Sequence, residues 1–600
     1  MSLGVRQERL PSPRWIAVIA TLPLVIVMIV MLRHQWYPTG DLAHTELMLR
    51  AIPRHPPLVG VAARVGPIDD QGSALGPSMA YTMLPVYVLL GRSSWATIAA
   101  ADVLHGLAVG AAVWLVGRRH GRWAGVATAF VMLVMVRALM SSSFFVEPWN
   151  VWLPVFAFAA FLVLLWDVAQ ERSRSLPWAV LVGSHCAQTH VSYLPLVAGL
   201  TGLAVAWLLI RRRTVSGRQG GQGRLGRDIA VSVVVGAVSL IPPVYEQLTR
   251  SPGNLRRLWQ HFGNPPEPYV GVRAGVKAFA GEFNLLGSWV TGRHHEPTAS
   301  PNIVGLLAMF ALVTGGLWVA WRRRDRATLA LFGVWGAATA IGLFSVTRVF
   351  GEFYDYVVRW IWPINAIAVL AALLAIGGAV ADRRPAHRPL MARVAIAMPV
   401  VLVAVAALQA MGARPPHESD SRLVGGLSGP LADHLSPDAR YLLRWHDPAA
   451  LGGVPYGLVL EMERRGFRVG VDPWGKAAAQ PFRVQPEETA STVLWYISGD
   501  RSIAKFAGRD DAVLLASFDP RSPADQKRSD QVRAMIESRL TELGRAELIP
   551  RLDEQYGTTQ IRFFEQLPAD VIDLVTEYND LREPGAVFEV PIFAPLFVTS

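Results

Sequence analysis

The chain has 600 residues, of which 52% are hydrophobic and only 17% are charged, and its mean hydropathy is +0.31. Soluble proteins carry roughly 25% charged residues, so a wholly soluble protein is excluded. A net charge of +11 would suggest a nucleic-acid partner in a soluble protein, but here the arginines cluster between apolar runs. Arginines so placed orient membrane helices and meet anionic lipid headgroups, so the expected partner is the lipid bilayer and no nucleic acid is expected.

The apolar residues form runs of about 18 to 22 residues, long enough to cross a hydrocarbon core of roughly 30 Å at 1.5 Å per residue. The first run follows Arg6, Arg9 and Arg14 and is too long for a signal peptide, so it is predicted to be an uncleaved anchor. The runs predict about eleven membrane spans, at 15–33, 95–116, 124–140, 151–166, 177–193, 194–210, 229–245, 303–321, 327–346, 357–380 and 394–411.

Arginine clusters follow every second predicted span, as at 118–122 and 322–326. Loops rich in lysine and arginine stay in the cytoplasm, so the N-terminus is predicted to be cytoplasmic in a bacterial plasma membrane. Residues 75–91 are apolar but contain Pro77 and Pro85, and counting them as a span would turn the 118–122 cluster outward. We therefore interpret them as an interfacial or re-entrant helix on the outer face.

Two domains follow from this topology. Residues 1–411 form the transmembrane domain, with a long first outer loop at 34–94, and residues 412–600 form an extracytoplasmic domain of ordinary soluble composition. In the second domain, short β-rich runs alternate with helical patterns, which predicts an α/β fold. The predicted strands are Arg440–Trp445, Arg468–Val471, Val493–Ile497 and Ala512–Ser517, and the predicted helices include Tyr456–Arg465 and Asp525–Leu543.

Polar residues collect at the outer ends of the predicted spans. The first outer loop begins an amphipathic helix that contains Asp41 and Glu46. Asp41 is either an acid favoured by the helix dipole or a general base that takes a proton from an acceptor hydroxyl. In the second outer loop, Glu147 and Asn150 flank Trp149, and a carboxylate there is costly unless it has a partner.

Further polar residues extend this predicted site. His190 stands in a polar group at the end of the fifth span, and Tyr245 ends the seventh. Arg348 and Tyr356 lie between the ninth and tenth spans, and Arg359 lies at the start of the tenth. Arginine and tyrosine at headgroup level suit a lipid phosphate, although aromatic anchoring with extended arginines is the alternative. Within the second span, Asp102 and His105 share a helix face. The two side chains either pair with each other within the helix or have a function.

The order of these features resembles the GT-C glycosyltransferases, a superfamily of polytopic membrane enzymes that includes protein O-mannosyltransferases, the aminoarabinose transferase of lipid A and mycobacterial arabinosyltransferases. The resemblance covers roughly residues 15–411. It is carried by the early acid Asp41, the apolar helix that starts with Gly76-Pro77-Ser78, and the acid Glu147 of the second outer loop. Segments similar to Pro56-Pro57-Leu58-Val59-Gly60, Pro148-Trp149-Asn150 and Gln188-Thr189-His190 also occur in such proteins.

The resemblance implies an inverting transferase that uses a polyprenyl-phosphate sugar donor and a glycan, lipid or protein acceptor. It makes Asp41 the base and Glu147 a catalytic group near the acceptor or donor. Family members often have two adjacent carboxylates in the first loop, and here that pair is Asp69-Asp70, so the base is Asp41 or one of these. No metal site is predicted from the sequence, and a divalent cation at the donor phosphate stays open as the single cofactor. A lipid-linked saccharide flippase and a non-catalytic envelope scaffold are the rival functions.

Overall fold

The computed structural model describes residues 11–67, 70–214, 222–293, 299–351, 353–384, 386, 388–450 and 452–592. Its contacts divide the chain into two compact units. The first unit comprises Met1–Arg33, Pro57–Gly66 and Gly72–Ala413, and the second comprises His34–Pro56, Pro67–Gln71 and Arg414–Ser600. The second unit therefore takes part of the first predicted outer loop as well as the C-terminal third of the chain.

The chain is mainly helical, and the helices are numbered here in chain order. They are α1 Pro13–Met31, α2 Gly40–Ala51, α3 Ser78–Leu89, α4 Ser94–His120, α5 Arg122–Leu139, α6 Pro154–Ala169, α7 Leu176–Thr189, α8 Leu194–Thr214, α9 Gln222–Ser239, α10 Ile241–Thr249, α11 Asn254–Gly263, α12 Gly271–Glu282, α13 Ser288–Thr291, α14 Ile303–Arg322, α15 Arg326–Thr347, α16 Ile361–Arg383, α17 Arg388–Ala410, α18 Glu418–His434, α19 Gly453–Arg464, α20 Lys476–Ala479, α21 Asp500–Ala507, α22 Pro523–Glu542, α23 Gly557–Phe564 and α24 Ala569–Asp580. All but α2 and α18–α24 belong to the first unit.

Within the described residues, eight helices are long and apolar enough to cross a membrane, namely α1, α4, α5, α8, α14, α15, α16 and α17. Helices α9 and α10 together form a further candidate span that bends by 47°. The remaining two predicted spans correspond to α6 and α7, which have 16 and 14 residues. The prediction of a polytopic helical membrane protein is thereby confirmed, and each predicted span coincides with one helix or, at 229–245, with parts of α9 and α10.

The apolar segment at 75–91 contains a helix of only 12 residues, α3. At 1.5 Å per residue such a helix is about 18 Å long, which is less than the roughly 30 Å of a bilayer core. Pro77 precedes it and Pro85 lies inside it. Its length therefore agrees with the interpretation that this segment is not a full span.

Small residues allow close helix packing in the first unit. A methyl group on Gly125 of α5 would lie 2.9 Å from Gly117 Cα of α4. A methyl group on Gly316 of α14 would similarly lie 2.7 Å from Ala372 Cα of α16. Close backbone approach of this kind replaces the hydrophobic driving force that helices lack in lipid.

The second unit contains a five-stranded sheet of order β2-β1-β3-β5-β4. Its strands are β1 Arg440–His446, β2 Arg468–Val471, β3 Thr492–Ser498, β4 Val513–Phe518 and β5 Gly585–Val590. Strands β2, β1 and β3 are parallel, whereas β5 pairs antiparallel with β3 and β4. The four predicted strands and the α/β class are confirmed, and β5 was missed.

Helix α2 is a structural part of the second unit. All its residues from Leu42 to Leu49 are buried. Ala43 and Leu47, both 0% exposed, belong to the same hydrophobic cluster as Leu443 of β1 and Leu494 of β3. The sequence predicts an amphipathic helix at the surface here, whereas α2 is buried on every side.

Truncating Leu47 tests this packing. We expect Leu47→Ala to lower the free energy of unfolding of the second unit by about 2–5 kcal/mol, because it leaves a cavity in the core. Hydrogen exchange of the β1 and β3 amides in the full chain measures this loss. Val513→Ala is the control, since Val513 is 60% exposed on β4. Equal losses in the two variants would contradict the packing.

Candidate functional site

Asp41 lies in the first turn of α2 and is held beside a histidine. Its Oδ1 lies 3.5 Å from His44 Nδ1, and its side chain is 60% exposed. The preceding Gly40 has φ +51°, and a methyl group there would lie 3.9 Å from Gly453 Cα. Asp41 is thus an accessible carboxylate on a rigid helix, as a proton acceptor requires.

His44 is in turn fixed by the second unit. Its ring lies edge-on to Tyr456 at 4.1 Å between centroids, and its Nε2 has no hydrogen-bond partner among the described residues. Burial raises the pKa of the Tyr456 phenol, and nearby Tyr556 and Asp41 raise it further. Tyr456 therefore stays protonated, and its ring packs against the ring of His44.

The other predicted acids of the first loop have protein partners. Glu46 is 0% exposed and forms an ion pair with Arg464, which also contacts Glu461 at 2.5 Å. Asp70 Oδ1 lies 3.5 Å from Lys476 Nζ, and both side chains are nearly half exposed. Asp69 lies outside the described residues. The pairing gives Glu46 a structural part, and its predicted contact with substrate stays a prediction.

In the first unit, Arg359 is surrounded by aromatic rings. Its guanidinium carbon lies 4.5 Å from the ring centroid of Trp362 and 5.8 Å from that of Trp152. It forms an ion pair with Asp355 one turn earlier, and its side chain is 11% exposed. Its Nε has no hydrogen-bond partner among the described residues. A nearly buried cation with a spare donor is suited to an anionic ligand.

Two carboxylates hold the tryptophans that flank Arg359. Trp152 Nε1 donates to Glu147 Oε2 at 2.7 Å, and Trp362 Nε1 donates to Glu282 Oε2 at 2.7 Å. Glu282 is 3% exposed and lies 3.4 Å from Ser288 Oγ. We call Arg359, the two tryptophans and the two glutamates the arginine frame. Glu282 was not predicted from the sequence, although a glutamate within a mostly apolar helix is a signal that could have shown it.

Aromatic stacking places Tyr356 near this frame. Trp149 contacts Tyr356 at 5.3 Å between centroids, and His190 lies at 6.4 Å. Tyr354 stacks on Tyr356 at 5.1 Å, and its hydroxyl accepts a 2.7 Å hydrogen bond from Arg64. The structure therefore brings the predicted residues Tyr356 and His190 together, and adds Arg64, which sequence reasoning missed.

The side chain of Asn150 contacts the backbone in the same region. Its Nδ2 donates to the carbonyl of Thr189 at 3.3 Å. His190, the next residue, has Nδ1 2.8 Å from Ser192 Oγ. Glu147, Asn150, His190, Tyr356 and Arg359 are thus connected through one group of contacts in the first unit.

Two predicted residues have other surroundings. The guanidinium carbon of Arg348 lies 5.2 Å from the ring centroid of Tyr269 and 5.4 Å from that of Phe344. Tyr245 on α10 is 56% exposed. No contact of either residue with the arginine frame is found among the described residues, and their predicted roles in substrate binding stay predictions.

The deep pair in α4 is enclosed by aromatic residues. Asp102 and His105 are each 1% exposed, and their polar atoms have no hydrogen-bond partner among the described residues. The His105 ring lies 5.0 Å from Phe144, 5.6 Å from Phe145 and 5.6 Å from Phe156. Polar groups buried in this way are costly, so a function or a bound water is the expected reason for their presence.

Neither unit offers a metal centre in the part of the chain that is described. No group of three or more His, Cys, Asp or Glu side chains there could hold a metal ion. The single cysteine, Cys186, is buried.

No protein-family model and no curated protein matches this sequence. The crystal structure of ArnT from Cupriavidus metallidurans bound to undecaprenyl phosphate matches with a TM-score of 0.50 and 17% identity, over 84% of this chain and 96% of that chain. The apo structure of ArnT matches over the same shares, with a TM-score of 0.48 and 15% identity. The structure of the oligosaccharyltransferase AglB from Archaeoglobus fulgidus, in complex with an inhibitory peptide and a dolichol-phosphate, matches with a TM-score of 0.44 and 11% identity. The match covers 96% of this chain and 88% of that chain.

ArnT and AglB are GT-C glycosyltransferases. The similarity to the ArnT complex shows that this chain has the GT-C fold, as the resemblance in the sequence predicts. The chain is thus a multi-pass membrane protein of that architecture.

The role of Glu46 can be tested through its partner. Arg464→Met leaves the buried carboxylate of Glu46 without its cation, so we expect a loss of about 3–5 kcal/mol in stability. The melting temperature of the full chain in detergent measures the loss, with Arg465→Met as the control because Arg465 is exposed. Glu46→Gln in the Arg464→Met background should restore part of it. An unchanged melting temperature for Arg464→Met would instead favour a substrate role for Glu46.

Proposed function

We propose that this protein is a membrane glycosyltransferase that moves a sugar from a polyprenyl-phosphate donor to a hydroxyl of a cell-envelope acceptor. The observation that carries the proposal is the arginine frame, a nearly buried cation with an unpartnered N–H in a bundle of GT-C fold. Fold likeness alone supports no particular chemistry. A fixed guanidinium, in contrast, matches the planar, bidentate recognition that phosphate oxygens favour.

The donor phosphate is proposed to bind at Arg359. The ArnT crystal structure holds undecaprenyl phosphate, and a lipid phosphate of that class would supply the anion here. Asp355 pairs with Arg359 in the structure, so the incoming phosphate must share the guanidinium with Asp355 or displace it. The flanking rings of Trp152 and Trp362 keep the guanidinium in place, because cation–π contact restricts it to their faces. Arg348 is proposed as a second phosphate contact and Tyr245 as a contact to the lipid carrier.

Asp41 is proposed as the general base. Its carboxylate takes the proton of the acceptor hydroxyl while the acceptor oxygen forms a bond to the anomeric carbon. The bond from that carbon to the phosphate oxygen breaks on the opposite face, and polyprenyl phosphate leaves with the electron pair. The anomeric configuration is inverted. Glu147, Asn150 and His190 would contact the sugar, and the accessible carboxylate of Asp70 is the rival base.

The reaction is assigned to the outer face of the bacterial plasma membrane. The support is the charge pattern, since arginine clusters follow alternate spans and such loops stay in the cytoplasm. On this topology the N-terminus is cytoplasmic, and the second unit, with Asp41, is extracytoplasmic. A divalent cation at the phosphate stays compatible with the proposal.

A lipid-linked saccharide flippase is the second candidate. The buried and unpartnered Asp102 and His105 favour it, because transporters use ionisable groups within the bundle. Replacing both, as Asp102→Asn with His105→Gln, separates the two functions. A transferase supplied with donor on the outer face keeps its activity, whereas a flippase loses transport.

The proposed base gives the first functional prediction. Asp41→Asn should lower kcat for sugar transfer by about 10²–10⁴-fold, because the acceptor hydroxyl loses its proton acceptor. The assay uses full-length protein in nanodiscs with polyprenyl-phosphate mannose, glucose and arabinose as donors. Asp438→Asn is the control, since Asp438 is an exposed acid of the same unit. Full activity in Asp41→Asn, with loss in Asp70→Asn, would move the base to Asp70.

The proposed phosphate contact gives the second functional prediction. Arg359→Lys should raise the Kd for undecaprenyl phosphate about tenfold or more, since an ammonium cannot make the bidentate, stacked contact of a guanidinium. Native mass spectrometry of the full chain measures binding without any need to know the sugar. Arg273→Lys is a matched control at an exposed arginine. An unchanged Kd for Arg359→Lys, with a raised one for Arg348→Lys, would move the phosphate to Arg348.

A further inference from the structure

Helix α11 of the first unit, Asn254–Gly263, is amphipathic but exposes part of its apolar face. Its apolar residues have the i, i+3, i+4 and i+7 spacing of a single helix face, and they are Leu255, Leu258, Trp259 and Phe262. Leu258 is buried, whereas Phe262 is exposed and Trp259 is 81% exposed. A tryptophan that faces outward in this way is typical of the interface between a bilayer and water.

The start of α11 is fixed to the end of α10. The Asn254 amide donates to Glu246 Oε2 at 2.8 Å, and the Arg256 amide donates to Gln247 Oε1 at 2.9 Å. A methyl group on Gly253 would lie 2.8 Å from Gln247 Cα, so the two helices meet closely at this turn. The position of α11 therefore follows from the position of α10.

Helix α10 presents an apolar stripe of its own. Ile241, Val244 and Leu248 share a helix face at i, i+3 and i+7, and all three are exposed, Leu248 by 80%. Because α10 completes the bent candidate span that begins with α9, this stripe is expected to face lipid. The stripe continues to the last turn of α10, so α11 begins where a span ends.

The end of α11 lies beside the end of a second candidate span, α15. The rings of Phe262 and Phe350 lie 5.7 Å apart between centroids, and Phe350 comes shortly after α15 ends. Beyond α11, the Val270 amide donates to the carbonyl of Val349 at 2.8 Å. Phe344, in the last turn of α15, is exposed. Helix α11 thus connects the ends of two membrane-crossing elements, which is the level of the lipid headgroups.

The segment around α11 is basic. Residues 247–281 contain a single acid, Glu267, and five basic residues, which are Arg250, Arg256, Arg257, Arg273 and Lys277. At about 100° per residue, Arg256 lies about 60° around the helix from Trp259, and both side chains are exposed. Exposed arginine beside exposed tryptophan on a short amphipathic helix is the pattern of helices that lie in the surface of an anionic membrane.

We propose that α11 lies in the plane of the membrane surface and binds anionic phospholipids. Trp259 and Phe262 enter the region of the acyl chains, and Arg250 and Arg256 contact the headgroups. The positive charge selects a headgroup of net negative charge over a zwitterionic one. Lipid binding at α11 is separate from the donor phosphate proposed at Arg359, so either can fail while the other holds.

Spin labelling of the full chain in nanodiscs of phosphatidylglycerol tests the position of α11. Cys186 is the single cysteine, so Trp259→Cys and Gln260→Cys, each combined with Cys186→Ala, carry one label. Oxygen concentrates in the acyl chains, and its collisions should dominate at position 259. Collisions with a water-soluble nickel chelate should dominate at position 260, which lies about 100° further around the helix. Dominant nickel collisions at position 259 would overturn the proposal.

Native mass spectrometry of the full chain tests the choice of headgroup. Arg250→Gln with Arg256→Gln should raise the Kd for phosphatidylglycerol about tenfold, because basic residues near an anionic surface add their attractions. The Kd for phosphatidylcholine should stay the same. Arg465→Gln with Arg468→Gln is the control, since it removes the same charge at two exposed arginines of the second unit.

The results that contradict anionic selectivity are equally specific. Equal affinity of the wild type for phosphatidylglycerol and phosphatidylcholine would overturn it. An unchanged Kd for phosphatidylglycerol in the Arg250 and Arg256 double variant would do so as well. The melting temperature of each variant shows that it is folded.

Discussion

The burial of helix α2 in the second unit is the constraint on which the placement of Asp41 depends. Leu47 lies in the core with Leu443 and Leu494, and Glu46 is held by Arg464. A buried carboxylate without its cation would destabilise the unit strongly, so the register of α2 against α19 is fixed. The side chain that this arrangement leaves accessible in the first turn is that of Asp41. The packing of the second unit therefore fixes the helix that carries the proposed base.

In the first unit, two glutamates are bonded to tryptophan side chains. Glu147 and Glu282 each accept an indole N–H. The same tryptophans flank Arg359, so satisfying the carboxylates also fixes the cation. Removing a partner from such a network costs more than one hydrogen bond contributes, because the remaining group stays desolvated. The contacts that stabilise the bundle at the arginine frame are thus the same contacts that hold Arg359 in place for the proposed anionic ligand.

The spans, the four strands and the GT-C fold could be predicted because they depend on local composition and periodicity. The packing of α2 could not, since the amphipathic pattern of Asp41–Ala51 specifies that the helix has a partner without specifying which one. Strand β5 was missed because its place between β3 and β4 is decided by pairing far along the chain. Of the candidate site, Glu147, Asn150, His190, Tyr356 and Arg359 were named from the sequence and lie in one group of contacts, and their roles stay predictions, whereas Glu282 and Arg64 become visible only through their contacts.

The proposed binding of a lipid phosphate within the arginine frame can be observed in a structure of the full chain in nanodiscs with undecaprenyl phosphate bound. We expect phosphate oxygens within hydrogen-bond distance of Arg359, between Trp152 and Trp362, with Asp355 sharing or leaving the guanidinium. A phosphate bound away from Arg359, with the ion pair to Asp355 unchanged, would contradict it.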